Sequence, residues 1–141
     1  MIDSFRGEYY FLSNFFSAPV TYNGLTFLNN EAAFQAQKCI SPSDRKKFET
    51  LDPSSAKRMG RHVALRNDWE SVKINIMRDI VYAKFTQNPD LAEKLLATGG
   101  EILVEGNTWG DRIWGKVDGV GRNLLGEILM ETREKIRRDR L

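Results

Sequence analysis

The chain is short of the residues that build the commonest metal sites, staples and nucleophilic pairs. It has one cysteine, Cys39, and one histidine, His62, in 141 residues. A single cysteine excludes a disulfide framework and a multi-cysteine zinc site. A single histidine excludes multi-histidine metal sites and leaves one candidate for any Ser–His or Cys–His pair. No metal centre is expected. No stretch approaches the roughly 18 apolar residues of a membrane span, and the first residues, Met1 to Glu8, have no apolar signal core. The expectation is a soluble, cytoplasmic protein with no membrane partner. Repeats, low-complexity tracts and linkers are absent too, so residues 1–141 read as a single domain. A large charge of one sign is also missing. The net charge is +2, and residues 133–140 alone hold five basic and two acidic side chains, which leaves the remainder at −1. A broad face for gripping phosphates is therefore not indicated. The basic tail reads as a complement to the C-terminal dipole of a last helix.

What is present is ordinary globular material, 41% hydrophobic and 28% charged. A chain of this length buries about two-thirds of its unfolded surface, enough for a core without staples. The first thirty residues look β-rich. Tyr9-Tyr10-Phe11 is an aromatic run, and Val20-Thr21-Tyr22, Asn23-Gly24, Leu25-Thr26-Phe27 is a hairpin with a type I′ turn. Helices follow. Asn30 caps one over about residues 31–40; Asp52-Pro53 opens a short one ending near Gly60. Asn67 with Glu70 makes a capping-box start for a long helix to about Phe85, with Val72, Ile76, Ile80 and Ala83 on its apolar face. Asn88-Pro89 opens another that stops at Gly99-Gly100, and Ile102-Leu103-Val104 is a short β-like run. Residues 106–123, with five glycines and two tryptophans, read as a structured loop. A final helix from about Asn123 turns Leu125, Ile128, Leu129 and Ile136 to the core. The fold class is α+β, mainly helical with a small antiparallel β element. Without βα alternation, a Rossmann sheet is not expected, and Gly119-Val120-Gly121 completes no dinucleotide fingerprint.

Two segments carry candidate chemistry. In the first helix Glu31, Gln35 and Lys38 stand at i, i+4 and i+7, with Ala33, Phe34, Ala36 and Ile40 elsewhere on the wheel. The row lines a polar cleft or is the wet face of an amphipathic helix. From Glu105 to Asn123, Trp109 and Trp114 each precede a glycine, Gly110 and Gly115, and Glu105, Asp111 and Asp118 lie close by. Tryptophan stacks on flat heteroaromatic rings, and glycine lets backbone N–H groups approach a ligand; alternatively the tryptophans are core plugs that pin the loop. Trp69 reads as packing. His62 reads as a surface residue, Cys39 as packed, and Ser13 and Ser17 have no base partner. The two segments suit acid-assisted cleavage of a bond to a heteroaromatic base, or binding of a nucleotide-like ligand.

The order of motifs is itself informative. Phe11-Leu12-Ser13-Asn14-Phe15, Glu31 with Phe34-Gln35-Ala36-Gln37-Lys38, Trp69 with Met77, and Lys84-Phe85 come first. Leu96-Ala97-Thr98-Gly99, Val104-Glu105-Gly106-Asn107-Thr108-Trp109-Gly110-Asp111, Ile113-Trp114-Gly115 and Gly121-Arg122-Asn123-Leu124-Leu125-Gly126 follow. From about residue 10 to 134 the chain resembles the NADAR, or YbiA-like, family. The resemblance implies an N-glycosidase of YbiA-like fold, without cofactor, that hydrolyses a bond between ribose C1 and nitrogen. The implied substrates are ADP-ribosylated guanine in nucleic acid or a nucleotide-like small molecule, or phosphorylated riboflavin-biosynthesis intermediates. A paired ADP-ribosyltransferase toxin is an implied partner, and a non-catalytic ADP-ribose- or NAD-binding module is the alternative. Carried onto this chain, it makes Glu31, Lys38 and Asp111 the catalytic candidates. Substrate-binding candidates are Asn14, Gln35 and Trp69, then Glu105, Asn107, Trp109 and Gly110, then Trp114, Gly115 and Asn123. Glu31 would stabilise an oxocarbenium-like state and activate water. Lys38 or Asp111 would protonate the leaving nitrogen, or a neutral Lys38 would attack an opened ribose. Two positions depart from the family pattern: Ala32 stands where many relatives carry histidine, and Lys116 where riboflavin-type members tend to carry aspartate.

Overall fold

In the computed structural model, which describes residues 1–141 throughout, Asn23 and Gly24 turn the chain with φ of 55° and 82°. These are the two positive angles that a type I′ hairpin needs. The turn joins β1 (Ser17–Tyr22) to β2 (Leu25–Asn29), paired antiparallel with Val20 opposite Phe27 and Tyr22 opposite Leu25. The register is irregular between Ser17 and Val20, where Pro19 has no N–H to donate. Two strands alone are marginal in water. Here the free edge of β1 is closed by Gln87, whose amide accepts from Thr21 N–H at 2.8 Å and donates to Thr21 C=O at 2.9 Å.

The hairpin belongs to one of two compact units, Asn14–Asn88; the other comprises Met1–Ser13 and Pro89–Leu141. In the Asn14–Asn88 unit, α1 (Asn30–Ala36), α2 (Pro42–Lys46), α3 (Pro53–Gly60) and α4 (Trp69–Gln87) follow the strands. Asp52 caps α3 as expected, accepting from Ser55 N–H at 2.8 Å. Three boundaries differ from the sequence expectation. The cap of α1 is Asn29, not Asn30: its Oδ1 accepts from Ala32 N–H at 2.7 Å, while Asn30 is buried and donates to Asn14 Oδ1. That helix stops at Ala36 rather than Ile40, because Cys39 leaves it to bridge Leu65 and Lys38 C=O accepts from Arg66 N–H at 3.0 Å. Ile40 lies beyond the helix and is 65% exposed. Before α4 no capping box forms: Asp68 holds the cap position and spends its carboxylate on Arg66, and Glu70 pairs with Lys73. The short helix α2, capped by Ser41, had no apolar period to announce it.

In the Met1–Ser13 and Pro89–Leu141 unit, the aromatic run Tyr9-Tyr10-Phe11 is not a strand. It lies in a 3-10 helix, Gly7–Leu12, which buries the adjacent residues Phe11 and Leu12, a pattern that strand alternation forbids. Ile2 bridges Leu103, taking up the β-like run. Helices α5 (Pro89–Ala97) and α6 (Leu124–Asp139) pack together, and α6 buries Leu125, Ile128, Leu129 and Ile136 as its period requires. The tail is not simply a solvated dipole complement. Arg133 is 4% exposed and donates to Thr98 Oγ1 at 2.9 Å, and Arg137 donates to Gly99 C=O at 2.9 Å. No helix is long and apolar enough to cross a membrane.

One buried charge gives the fold a pH dependence. Lys84 of α4 is 1% exposed, with its ammonium 5.4 Å from the Phe16 ring centre and 5.1 Å from that of Phe85. Burial pushes its pKa down to about 7. The unfolded lysine keeps its proton to about pH 10.4, so between these values the unfolded state binds the extra proton. Stability from this group is present at alkaline pH and is lost as pH falls toward 7, at up to about 1.4 kcal/mol per pH unit. Denaturation midpoints measured from pH 7 to 10 are expected to rise with pH in the native chain, and to rise less steeply in Lys84→Met.

Candidate active site

Helix α1 buries six of its seven residues; Glu31 is the exception. It sits in the first turn, where the positive end of the helix dipole favours a carboxylate. Its N–H donates to Asn14 C=O at 3.0 Å, so the buried Asn14 anchors the start of the helix. One turn on, Gln35 Nε2 donates to Glu31 Oε2 at 2.7 Å. Lys38 follows the helix end rather than extending it, yet it stays within electrostatic reach of Glu31. Its ammonium lies 5.9 Å from the Trp69 ring centre, and Trp69 packs on Phe34 with ring centres 5.0 Å apart. Burial lowers the Lys38 pKa below the usual lysine value; Glu31 opposes the shift, and Arg61 and Lys73 add to it. The Asn14–Asn88 unit therefore brings together Asn14, Glu31, Gln35, Lys38 and Trp69. Trp69 is 5% exposed, so it chiefly forms the wall on which Lys38 lies.

The loop of the other unit is held by its amides. Asn107 donates to the Glu105 carboxylate at 3.0 Å and to Asp111 C=O at 2.8 Å, and accepts from Asp111 N–H at 3.0 Å. Asp111 Oδ1 accepts from Ile113 N–H at 3.0 Å and Trp114 N–H at 2.9 Å, closing the next turn. Asn123, with φ of 54°, grips the segment 103–105 at two points: Glu105 N–H donates to its Oδ1, and its Nδ2 donates to Leu103 C=O, both at 2.9 Å. Gly115 allows the closure, since a Cβ there would stand 1.9 Å from Glu105 Oε2. Gly110 is exposed, with φ of 88°. Trp114 is half-buried, whereas Trp109 is 58% exposed and plugs no core.

Residues outside the expected set also matter. Gly60 was read only as the end of a helix, but a Cβ on it would fall 2.0 Å from Gln35 Oε1. Arg61 and Lys73 bear on Lys38 from α3's end and from α4, and only tertiary structure brings them there. His62 is exposed, and Cys39 is 1% exposed with its thiol pKa raised by burial. A buried thiol with a raised pKa is a poor nucleophile. No group of three or more His, Cys, Asp or Glu side chains converges anywhere in the chain.

An α+β chain with an acid–amide–lysine cluster on a buried helix and a loop of tryptophans and glycines defines a recognisable class. The NADAR domain matches residues 3–137, and the chain belongs to the NADAR family. N-glycosidase YbiA of Escherichia coli (strain K12) is 41% identical over 133 residues, which cover 92% of this chain and 82% of that protein. The NMR structure of E. coli YbiA superposes with a TM-score of 0.85 at 39% identity, covering 99% of this chain and 89% of that one. Riboflavin biosynthesis protein VVA0006 of Vibrio vulnificus is 39% identical over 130 residues, 89% of this chain but 35% of that protein.

Asn123 offers a direct test of how the loop is held. Asn123→Ala leaves Glu105 N–H and Leu103 C=O without their partner and puts an unsuited residue at positive φ. The expected loss is about 2–4 kcal/mol, read as a lower urea midpoint with an unchanged m value.

Proposed function

We propose that this chain, a hydrolase of N-glycosyl bonds like the relatives named N-glycosidases, removes ADP-ribose from the amino group of guanine in nucleic acid or a nucleotide. The observation that carries the reading is the pairing of Glu31 with Lys38. A carboxylate at a helix N-terminus, bonded to an amide at 2.7 Å, stands near an amine whose proton burial has loosened. A lysine whose pKa burial lowers gives up its proton more readily, which puts a usable acid beside the carboxylate base. As the C1–N bond lengthens, positive charge grows on the ribose ring and the Glu31 carboxylate stabilises it. Glu31 takes a proton from the attacking water, and the Lys38 ammonium gives one to the departing nitrogen. Asp111, whose Oδ1 closes a turn, is assigned a structural part instead of the acid's. The exposed Trp109 is assigned to stacking on a flat ring.

A second reading has its own support: the Vibrio vulnificus relative is named a riboflavin biosynthesis protein. On that reading the substrate is a phosphorylated early intermediate of that synthesis. Lys116, in place of an aspartate, favours the ADP-ribose substrate.

Mass-spectrometric hydrolysis assays on an oligonucleotide carrying ADP-ribosylated guanine, and on the phosphoribosylamino-pyrimidine intermediate, decide between them. Plain guanine is expected to reappear in the first. Glu31→Gln is expected to slow this on the order of 10²-fold or more, and near-normal turnover in that variant would sink the assignment. Cleavage of the pyrimidine alone would replace the first reading with the second. Saturable binding without cleavage of either would leave a binding module. Because Lys38 must be protonated to act as the acid, kcat/KM is expected to fall as pH rises through its lowered pKa, earlier than an ordinary lysine would allow.

A further inference from the structure

We infer that Gln35 is a positioning residue for Glu31, and that Gly60 on α3 is the device that holds it in place. The inference rests on the reading of Glu31 as the reacting carboxylate. Its first support is steric. Gly60 ends α3 with an ordinary backbone angle, so no turn requires a glycine there, and glycine weakens a helix. A Cβ at this position would lie 2.0 Å from Gln35 Oε1, 2.8 Å from its Cδ and 3.3 Å from its Cβ. The carbonyl side of the carboxamide thus occupies the space that a side chain at residue 60 would take.

The second support is a polar group left without a partner. Gln35 is 6% exposed, and its Oε1 is buried with no hydrogen bond. Buried carbonyl oxygens nearly always find a donor. This one forgoes a donor while the nitrogen of the same amide reaches Glu31 Oε2 at 2.7 Å. On an exposed helix an i, i+4 pair of this kind is weak and mobile. Here the amide lies against Gly60, in space that opens only because residue 60 has no side chain. The same combination, a glycine without Cβ under an amide, recurs at the start of α6, where a Cβ on Gly126 would stand 2.3 Å from Asn123 Nδ2. There too the amide serves as a fixed strut.

Two consequences follow for the chemistry. One carboxylate oxygen of Glu31 is pinned in direction, and a donor facing it favours the ionised form. Gln35 therefore commits Glu31 to accepting protons and stabilising positive charge, and leaves donation to Lys38. A carboxamide enclosed in this way supports Glu31 and does not itself grip substrate, which revises the sequence expectation for Gln35.

The test separates this role from packing. Gln35→Met keeps the shape and removes the donor; Gly60→Ala keeps the donor and removes its space. In both variants, side-chain 13C NMR is expected to show Glu31 titrating at higher pH than in the native chain. The acidic limb of kcat is expected to move up with it, with the loss confined to the acid side of the profile and little change in KM. Gly60→Ala is expected to do no further harm in a Gln35→Ala background, where the methyl fills vacated space. An unmoved Glu31 titration in Gln35→Met would overturn the inference, and so would additive losses in the double variant. If Glu31→Gln keeps native turnover while the NMR shift is seen, positioning stands and the catalytic reading of Glu31 falls.

Discussion

A seven-residue helix enclosed on almost every side, α1, sets the terms for the Asn14–Asn88 unit. Its length is too small for independent stability, since isolated helices under about 12 residues are marginal in water. Burial and side-chain capping supply what propensity does not. Asn29 satisfies the first turn, Asn14 C=O takes the Glu31 N–H, and Gln37 Nε2 returns to Ala33 C=O at 3.0 Å. Two of these partners, Asn29 and Gln37, are side-chain carboxamides. A carboxamide hydrogen-bonds in both directions without bringing a charge that burial would penalise. With the remaining six residues of α1 packed inside, Glu31 is where this helix reaches solvent.

The electrostatics of that surface follow from the same enclosure. Lys38 leaves the helix beside Trp69 and loses water, which lowers its pKa, while Arg61 and Lys73 add like charge. Glu31 counters part of this, with its carboxylate in the first turn of α1 and bonded to the Gln35 amide. A carboxylate and a loosely held proton thus share one surface, although neither residue type is unusual. Lys84, deeper in the unit, shows the limit of the effect: with 1% exposure its pKa falls to about 7 and the charge becomes a matter of stability.

The other unit solves a different problem with the same materials. Residues between α5 and α6 form no regular secondary structure, yet Asn107, Asp111 and Asn123 close successive turns, and Gly115 and Gly126 admit them. A loop pinned at so many points holds Trp109 exposed without collapsing over it.

Local signals were legible where the physics is local. Asn23-Gly24 demanded a hairpin, Asp52-Pro53 and Asn88-Pro89 opened helices, and the period of Leu125, Ile128, Leu129 and Ile136 turned α6 inward. The ordered motifs were enough to place the chain in its family, and the spacing of Glu31, Gln35 and Lys38 was enough to bring them under scrutiny together. Other outcomes depended on competition between distant segments. Helix α1 ended at Ala36 because Leu65 and Arg66, far along the chain, offered Lys38 and Cys39 backbone partners. Tyr9 to Phe11 coiled instead of extending, and Phe11 and its neighbour Leu12 are both buried there. Gly60 looked like a helix terminator and turned out to be a space for Gln35, a fact that exists only once α3 lies against α1. By itself the sequence determined the elements and the chemical groups, since capping, turn angles and periodicity act within a few residues. Which amide is wedged, which amine is desolvated and which tryptophan stays in solvent were decided by tertiary structure, because burial belongs to the packed chain and not to any residue in it.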